Sequence, residues 1–118
     1  MDKREFIRKQ NINAMVENKE IIYTDFGEVI RSLQQGKLAK RKDSEHIIIK
    51  QIDSNICKDI ISKMTSLPDS AKQLILNTEK GNIEYKNQCL KFNIKDNTAT
   101  NYIPDWNDIF ATDWIIFN

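Results

Sequence analysis

Glycine, cysteine and histidine are all scarce in this chain, and each scarcity removes a class of chemistry. Three glycines in 118 residues do not build a glycine-rich loop that cradles phosphates on backbone N–H groups. The two cysteines, Cys57 and Cys89, have neither CxxC spacing nor a histidine nearby, so they read as reduced structural thiols. The one histidine, His46, abuts an apolar run with no serine or cysteine nucleophile motif beside it, so no general-base site assembles. A formal net charge of +1 leaves no global basic field for duplex DNA or RNA. No stretch approaches the about 20 apolar residues that span a bilayer. The first residues, Met1-Asp-Lys-Arg-Glu, lack the apolar centre of a secretion signal. The expected setting is therefore the cytoplasm, with no membrane partner.

What the chain does have is concentrated at its end. Residues 102–118 hold both tryptophans, Trp106 and Trp114, together with Tyr102, Phe110, Phe117 and the carboxylates Asp105, Asp108 and Asp113. Tryptophan offers a large rigid face for packing or stacking, and its ring N–H needs a partner when buried. Trp114 lies in an apolar run and reads as core. Trp106 lies in Pro-Asp-Trp-Asn-Asp, where a purely core role is less natural. The three aspartates could form a divalent-metal trio. They read better as a helix cap (Asp105) and as turn formers or hydrogen-bond acceptors, so neither a metal nor another cofactor is expected. The compact basic cluster, Lys37, Lys40, Arg41 and Lys42, reads either as a solvated strand edge or as a phosphate contact.

The pattern predicts an α+β fold: a small, mainly antiparallel sheet with a few short helices and an N-terminal helical extension. The expected division is an extension over residues 1–22 and one α+β domain over 23–118. The clearest helix runs from about Asp25 to Gln35. Phe26, Val29, Ile30 and Leu33 form one stripe, Asp25 and Glu28 stand at capping-box spacing, and Gly36 suits the C-terminal cap. His46–Ile52 is expected as a buried strand, joined by a hairpin to Leu38–Arg41. Residues 56–64 read as a short helix or irregular, and 68–77 as a helix with Pro68 in its first turn. Ile83–Tyr85 is a short strand. Leu90, Phe92 and Ile94 alternate with Lys91 and Asn93, so residues 88–103 form a hairpin. A short helix from Asp105 to Ala111 and a strand from Trp114 to Phe117 close the chain. The unaided conclusion is a small non-catalytic domain. Its aromatic and Asn/Gln-rich patches suit a small ligand carrying a base and phosphates.

Four segments, in order, resemble the phage Thoeris anti-defence 2 family of small sponge proteins. They are Phe26-Gly-Glu-Val-Ile-Arg-Ser-Leu-Gln-Gln-Gly36-Lys37-Leu-Ala-Lys-Arg41, Met64-Thr-Ser-Leu-Pro68, Tyr85-Lys-Asn87-Gln88, and the stretch from Tyr102 to Trp114. The chain departs from the family pattern in three places. Asp43-Ser44 stands where many members have Gly-Trp, Tyr102 where Trp is frequent, and Asp105 where Ser or Thr is usual. The resemblance implies a protein that binds and sequesters, without cleavage, cyclic ADP-ribose signals made by TIR-domain enzymes. In some members it implies capture of cyclic di- or trinucleotide signals of CBASS as well. It also implies a homo-oligomer, a tetramer built as a dimer of dimers, with pockets between protomers, acting in the host cytoplasm. Placed on this sequence, it makes Tyr102 and Trp106 the stacking candidates and Arg41 the phosphate candidate. Ser66, Asn87, Gln88 and Asp108 become candidates for the riboses or the base edge. The same residues also have local roles open to them, Ser66 as a cap and Asn87-Gln88 as a turn. A hydrolase of such a signal and a phage structural or interaction protein are the rival readings.

Overall fold

A computed structural model describes residues 21–118. Most of the N-terminal extension expected over residues 1–22 lies outside the described residues. The described chain divides into two compact units. One comprises the described part of Met1–Gln51 with Cys89–Asn118, and the other is Ile52–Gln88.

The first unit is built on a five-stranded antiparallel sheet. Its strands are β1 (Leu38–Arg41), β2 (His46–Lys50), β5 (Cys89–Asn93), β6 (Thr98–Asn101) and β7 (Trp114–Phe117). The spatial order is β6-β5-β2-β1-β7. Both predicted hairpins form, with Asp43 and Asn97 at positive φ in their turns. Helix α1 (Phe26–Gln34) packs on β1, β2 and β7. The Asp25 side chain accepts from the Glu28 backbone N–H, as the cap predicts. The reciprocal half of the capping box is not made, because the Glu28 carboxylate pairs with Arg31 instead at 2.8 Å. At the other end Gly36 adopts φ +82°. Its N–H donates to the Leu33 carbonyl while that of Lys37 donates to Ser32, the two bonds of a Schellman cap.

Because strand side chains alternate, register decides which of them share a face. Ala39 pairs with Ile48, Ile48 with Lys91, and Lys91 with Thr100, forming one row across the sheet. Arg41 pairs with Trp114 in the next row. At the α1 end this face is the core of the unit, formed by Val29, Leu33, Ala39, Ile48 and Trp114, with Phe26, Tyr102 and Ile116 packed against it. Towards β5 and β6 the same face becomes polar. The opposite face carries Ile47 against Phe92 and Ile49 against Leu90. Lys40 shares that opposite face with Ile115, so the basic cluster that looks compact in sequence is divided between the two faces.

The second unit pairs β3 (Ser54–Ile56) with β4 (Ile83–Tyr85) and carries α2 (Lys58–Lys63) and α3 (Asp69–Leu76). Ile61 is fully buried in it. Pro68 proves to be the N-cap of α3, one position earlier than expected, and no side chain caps that helix. Gly81, at φ +67°, lets the chain pass the Lys58 side chain, which an added Cβ would meet.

Candidate functional site

The end of the chain folds back over the polar half of the sheet face. After β6 the Tyr102 backbone N–H donates to the Cys89 carbonyl, which anchors the turn-off from the sheet. Helix α4 (Trp106–Phe110) follows. Asp105 is its N-cap, accepting from the Asp108 N–H at 2.8 Å. This cap fixes where Asp108 points. Below it, the Trp114 ring N–H donates to the Asp108 carbonyl at 2.8 Å. That bond supplies the buried indole with the partner it requires.

Arg41 reaches this region from β1. Its Nη1 donates to Asp108 at 3.1 Å. Its Nε and Nη2 donate to the two oxygens of Asp113, a bidentate pairing. The guanidinium carbon lies 5.7 Å from the centre of the Trp114 ring. Tyr102 donates its hydroxyl to the second Asp108 oxygen at 3.1 Å. One carboxylate thus ties β1, the segment after β6 and, through its backbone, β7. The Arg41 side chain is 32% exposed and Asp113 is 37% exposed. These ion pairs are therefore partly screened and stabilise by about 1 kcal/mol rather than several.

Arg41, Tyr102, Asp108 and Trp114 wall a cavity of about 370 Å³, lined also by Ser44, His46, Ile48, Lys91 and Asn101 from the sheet and its β1–β2 turn and by Ile103 and Asp105 from the segment that follows β6. The volume lies within the roughly 300–1,000 Å³ typical of small-molecule sites. Ser44 accepts from the backbone N–H of His46 at 3.0 Å, so its hydroxyl shapes the hairpin. The His46 ring lies 3.5 Å from the Asn93 amide. The carboxylates of Asp105, Asp108 and Asp113 each face N–H or O–H donors. Among the described residues no three of His, Cys, Asp and Glu are arranged to hold a metal ion.

Two groups are electrically perturbed. Hydrogen bonding to Asp113, opposed by desolvation and reinforced by the charges of Asp113 and Asp108, raises the Arg41 pKa further, so the guanidinium stays charged. Burial first, then the Asp108 charge and hydrogen bond, push the Tyr102 phenol above its ordinary value of 10.0. The unfolded chain loses this proton near pH 10, where the folded chain still holds it. Stability from Tyr102 is therefore fully present below pH 10 and lost as pH rises above it. Tyr102→Phe is expected to flatten that alkaline decline. It should cost about 1–2 kcal/mol at neutral pH through the lost bond to a carboxylate. Urea unfolding from pH 7 to 11 checks this, and parallel profiles for the two proteins would contradict it.

Of the residues singled out from the sequence, Arg41, Tyr102 and Asp108 come together in this cavity. Trp106 stands beside Asp105 at the start of α4 but does not line it. Trp106 is 69% exposed and Phe110 is 74% exposed. Their rings stack with centroids 5.4 Å apart. Ser66, Asn87 and Gln88 are exposed residues of the second unit. Asn87 turns the chain at φ 54°, with its backbone N–H on the Asp53 carboxylate at 3.0 Å. Sequence reasoning missed Lys91, His46 and Ser44 as cavity residues. The available signal was the strand alternation, which sets Lys91 apart from Leu90 and Phe92.

The sequence profile of the Thoeris anti-defense 2-like domain matches residues 24–117, so the chain belongs to that family. Membership implies a role against Thoeris defence. No curated protein matches the chain.

Proposed function

We propose that this member of the Thoeris anti-defense 2-like family binds a cyclic ADP-ribose-type signal of TIR enzymes and holds it without cleaving it, inside the host cell. The observation that carries this reading is the cavity itself. Its walls take Arg41 from the first of the four resembling segments, Tyr102, Ile103, Asp105, Asp108 and Trp114 from the last, and Lys91 and Asn101 from the strands between them. It sets a phenol, two aspartates and cationic side chains around a volume suited to a nucleotide. Riboses and an adenine amino group donate to carboxylates, while a diphosphate needs cations. The exposed Trp106–Phe110 pair beside it offers a stacking face. Sequestration is favoured over hydrolysis because, among the described residues, no hydrogen bond joins the Ser44 hydroxyl to the His46 ring, which lies against the Asn93 amide instead. Action as a homo-oligomer, a dimer of dimers, belongs to the same reading, with the exposed Ile103 as surface a neighbouring protomer would cover.

Calorimetry against a panel of cyclic ADP-ribose isomers and cyclic di- and trinucleotides tests the proposal, with the mass of the assembly measured alongside. A sponge able to compete with a receptor needs a Kd near nanomolar, about −12 kcal/mol. Ligand recovered intact after denaturing the complex supports sequestration. Cleaved ligand would establish the enzyme reading, and absence of binding across the panel would end the sponge reading. Within the same assay, Trp106→Ala is expected to weaken binding about 5- to 150-fold, the range of a stacked base. The unfolding midpoint should hardly change, because the ring is largely exposed. Unaltered affinity would remove Trp106 from the site.

A further inference from the structure

Resting on that reading, we infer that Lys91 is the residue that meets the phosphate groups of the ligand, and that Arg41 is a positioning residue. Apart from His46, the basic side chains that line the cavity are Arg41 and Lys91. Their circumstances are opposite. Arg41 directs Nε and Nη2 to Asp113 and Nη1 to Asp108. One cation shared by two carboxylates leaves that cluster with a charge of −1, which repels an anion instead of attracting it. To take a phosphate, Arg41 would have to surrender the bonds that hold Asp108 in place.

Lys91 has no such engagement. It sits in the middle of β5, directly opposite Ile48 on one side and Thr100 on the other. Its neighbours on the same face of β5 are Cys89 and Asn93, and neither carries a charge. Among the described residues its ammonium makes no ion pair and no hydrogen bond, although the side chain is half-buried. With no counter-ion of its own, this cation gains a charge-assisted partner when an anion enters the cavity. The cavity is therefore polarised. Asp105 and Asp108 form an acceptor wall, and Lys91 stands on the sheet as the free cation. A ligand bearing both phosphates and hydroxyl or amino donors fits in one sense only, with phosphates on Lys91 and donors towards the aspartates.

The test uses the full chain as Lys91→Met, Lys91→Gln and Lys91→Arg. Each is titrated with the cyclic ADP-ribose isomers and, separately, with inorganic pyrophosphate as a probe of the anion site, at low and high salt. Thermal unfolding verifies that each variant folds. The neutral variants should bind cyclic ADP-ribose about ten- to a hundredfold more weakly, the loss of a charge-assisted bond. Lys91→Arg should stay close to the parent. The salt dependence of the parent should flatten in the neutral variants. Parent-like affinity and salt dependence in both neutral variants would overturn the assignment. Failure of the signal reading looks different: the parent binds no cyclic nucleotide, yet pyrophosphate still binds and is lost without Lys91. If neither probe binds the parent, the assignment and the signal reading both fall.

Discussion

Replacing Trp114 by alanine is expected to lower the unfolding free energy by about 3–5 kcal/mol, the range for deleting a buried tryptophan. The side chain is 1% exposed and belongs to the buried cluster at the first unit's core. Its ring meets Phe26 of α1 at 5.6 Å between centroids, carries Arg41 of β1 on its face, and donates to the Asp108 carbonyl of α4. The strand that bears it bonds to Thr24 through both backbone groups. A domain of this size is stabilised by about 5–15 kcal/mol in all, so the variant loses about a fifth or more. At about 4 °C per kcal/mol, the melting temperature falls by about 12–20 °C. Trp114→Phe separates the contributions. It keeps most of the apolar area and loses the ring N–H, so it should cost about 1–2 kcal/mol. Thermal and urea unfolding of both variants decide the matter. A loss below 1 kcal/mol for Trp114→Ala would mean that this ring does not organise the core.

That Trp114 would be core was legible from its apolar run, and so were most elements near it. Local signals sufficed wherever structure is local. Asp25 and Gly36 bracket α1, the four polar residues after Arg41 close one hairpin, and the alternation from Leu90 to Ile94 gives β5. The pairings between distant segments were not legible. β7 joins β1 because Arg41 and Trp114 complement each other across the sheet, and that depends on which faces are buried. β3 was missed for a related reason. Ser54-Asn55-Ile56 has little strand propensity and is ordered by pairing with β4, with Asn82 donating to Asn55 at 2.6 Å. The division of the chain at residues 52–88 carries no composition shift, linker or repeat to announce it.

The candidate site divides the same way. The resemblance supplied Arg41, Tyr102 and Asp108 one by one. Nothing in their spacing showed that they would bond to one another across separations of 67 and 6 residues. For Arg41 this changes the chemistry expected of it, since a cation already shared by two carboxylates is a poor anion receptor. Lys91 required the strand order. Only when β5 lies between β2 and β6 does its side chain share a face with His46, Ile48 and the returning C-terminal segment.

Asp108→Ala carries the other large effect, and here loss of binding should exceed loss of stability. The substitution leaves the backbone carbonyl that receives the Trp114 N–H, so the core contact survives. It removes the acceptor of both Arg41 Nη1 and the Tyr102 hydroxyl. Arg41 keeps Asp113, whereas the Tyr102 hydroxyl is left half-buried without its partner. The expected destabilisation is about 1–3 kcal/mol, at the lower end if water reaches the vacated space. For binding, two effects oppose each other. Losing one negative charge favours an anionic ligand by about 1 kcal/mol, taking a separation of roughly 8 Å and an effective dielectric of about 40. Against this stand the lost acceptor for the ligand's hydroxyl or amino groups and the freeing of two cavity walls, Arg41 and Tyr102. Misplacement of positioning groups by about 1 Å costs on the order of a hundredfold in enzyme sites, which outweighs the electrostatic gain. Asp108→Ala should therefore bind cyclic ADP-ribose at least about a hundredfold more weakly. Asp108→Asn, which keeps an acceptor oxygen and the shape but not the charge, should fall between it and the parent. Calorimetry on the three proteins, with thermal unfolding as the control for folding, gives the order. Tighter binding by Asp108→Ala than by the parent would show that electrostatics outweighs positioning in this cavity.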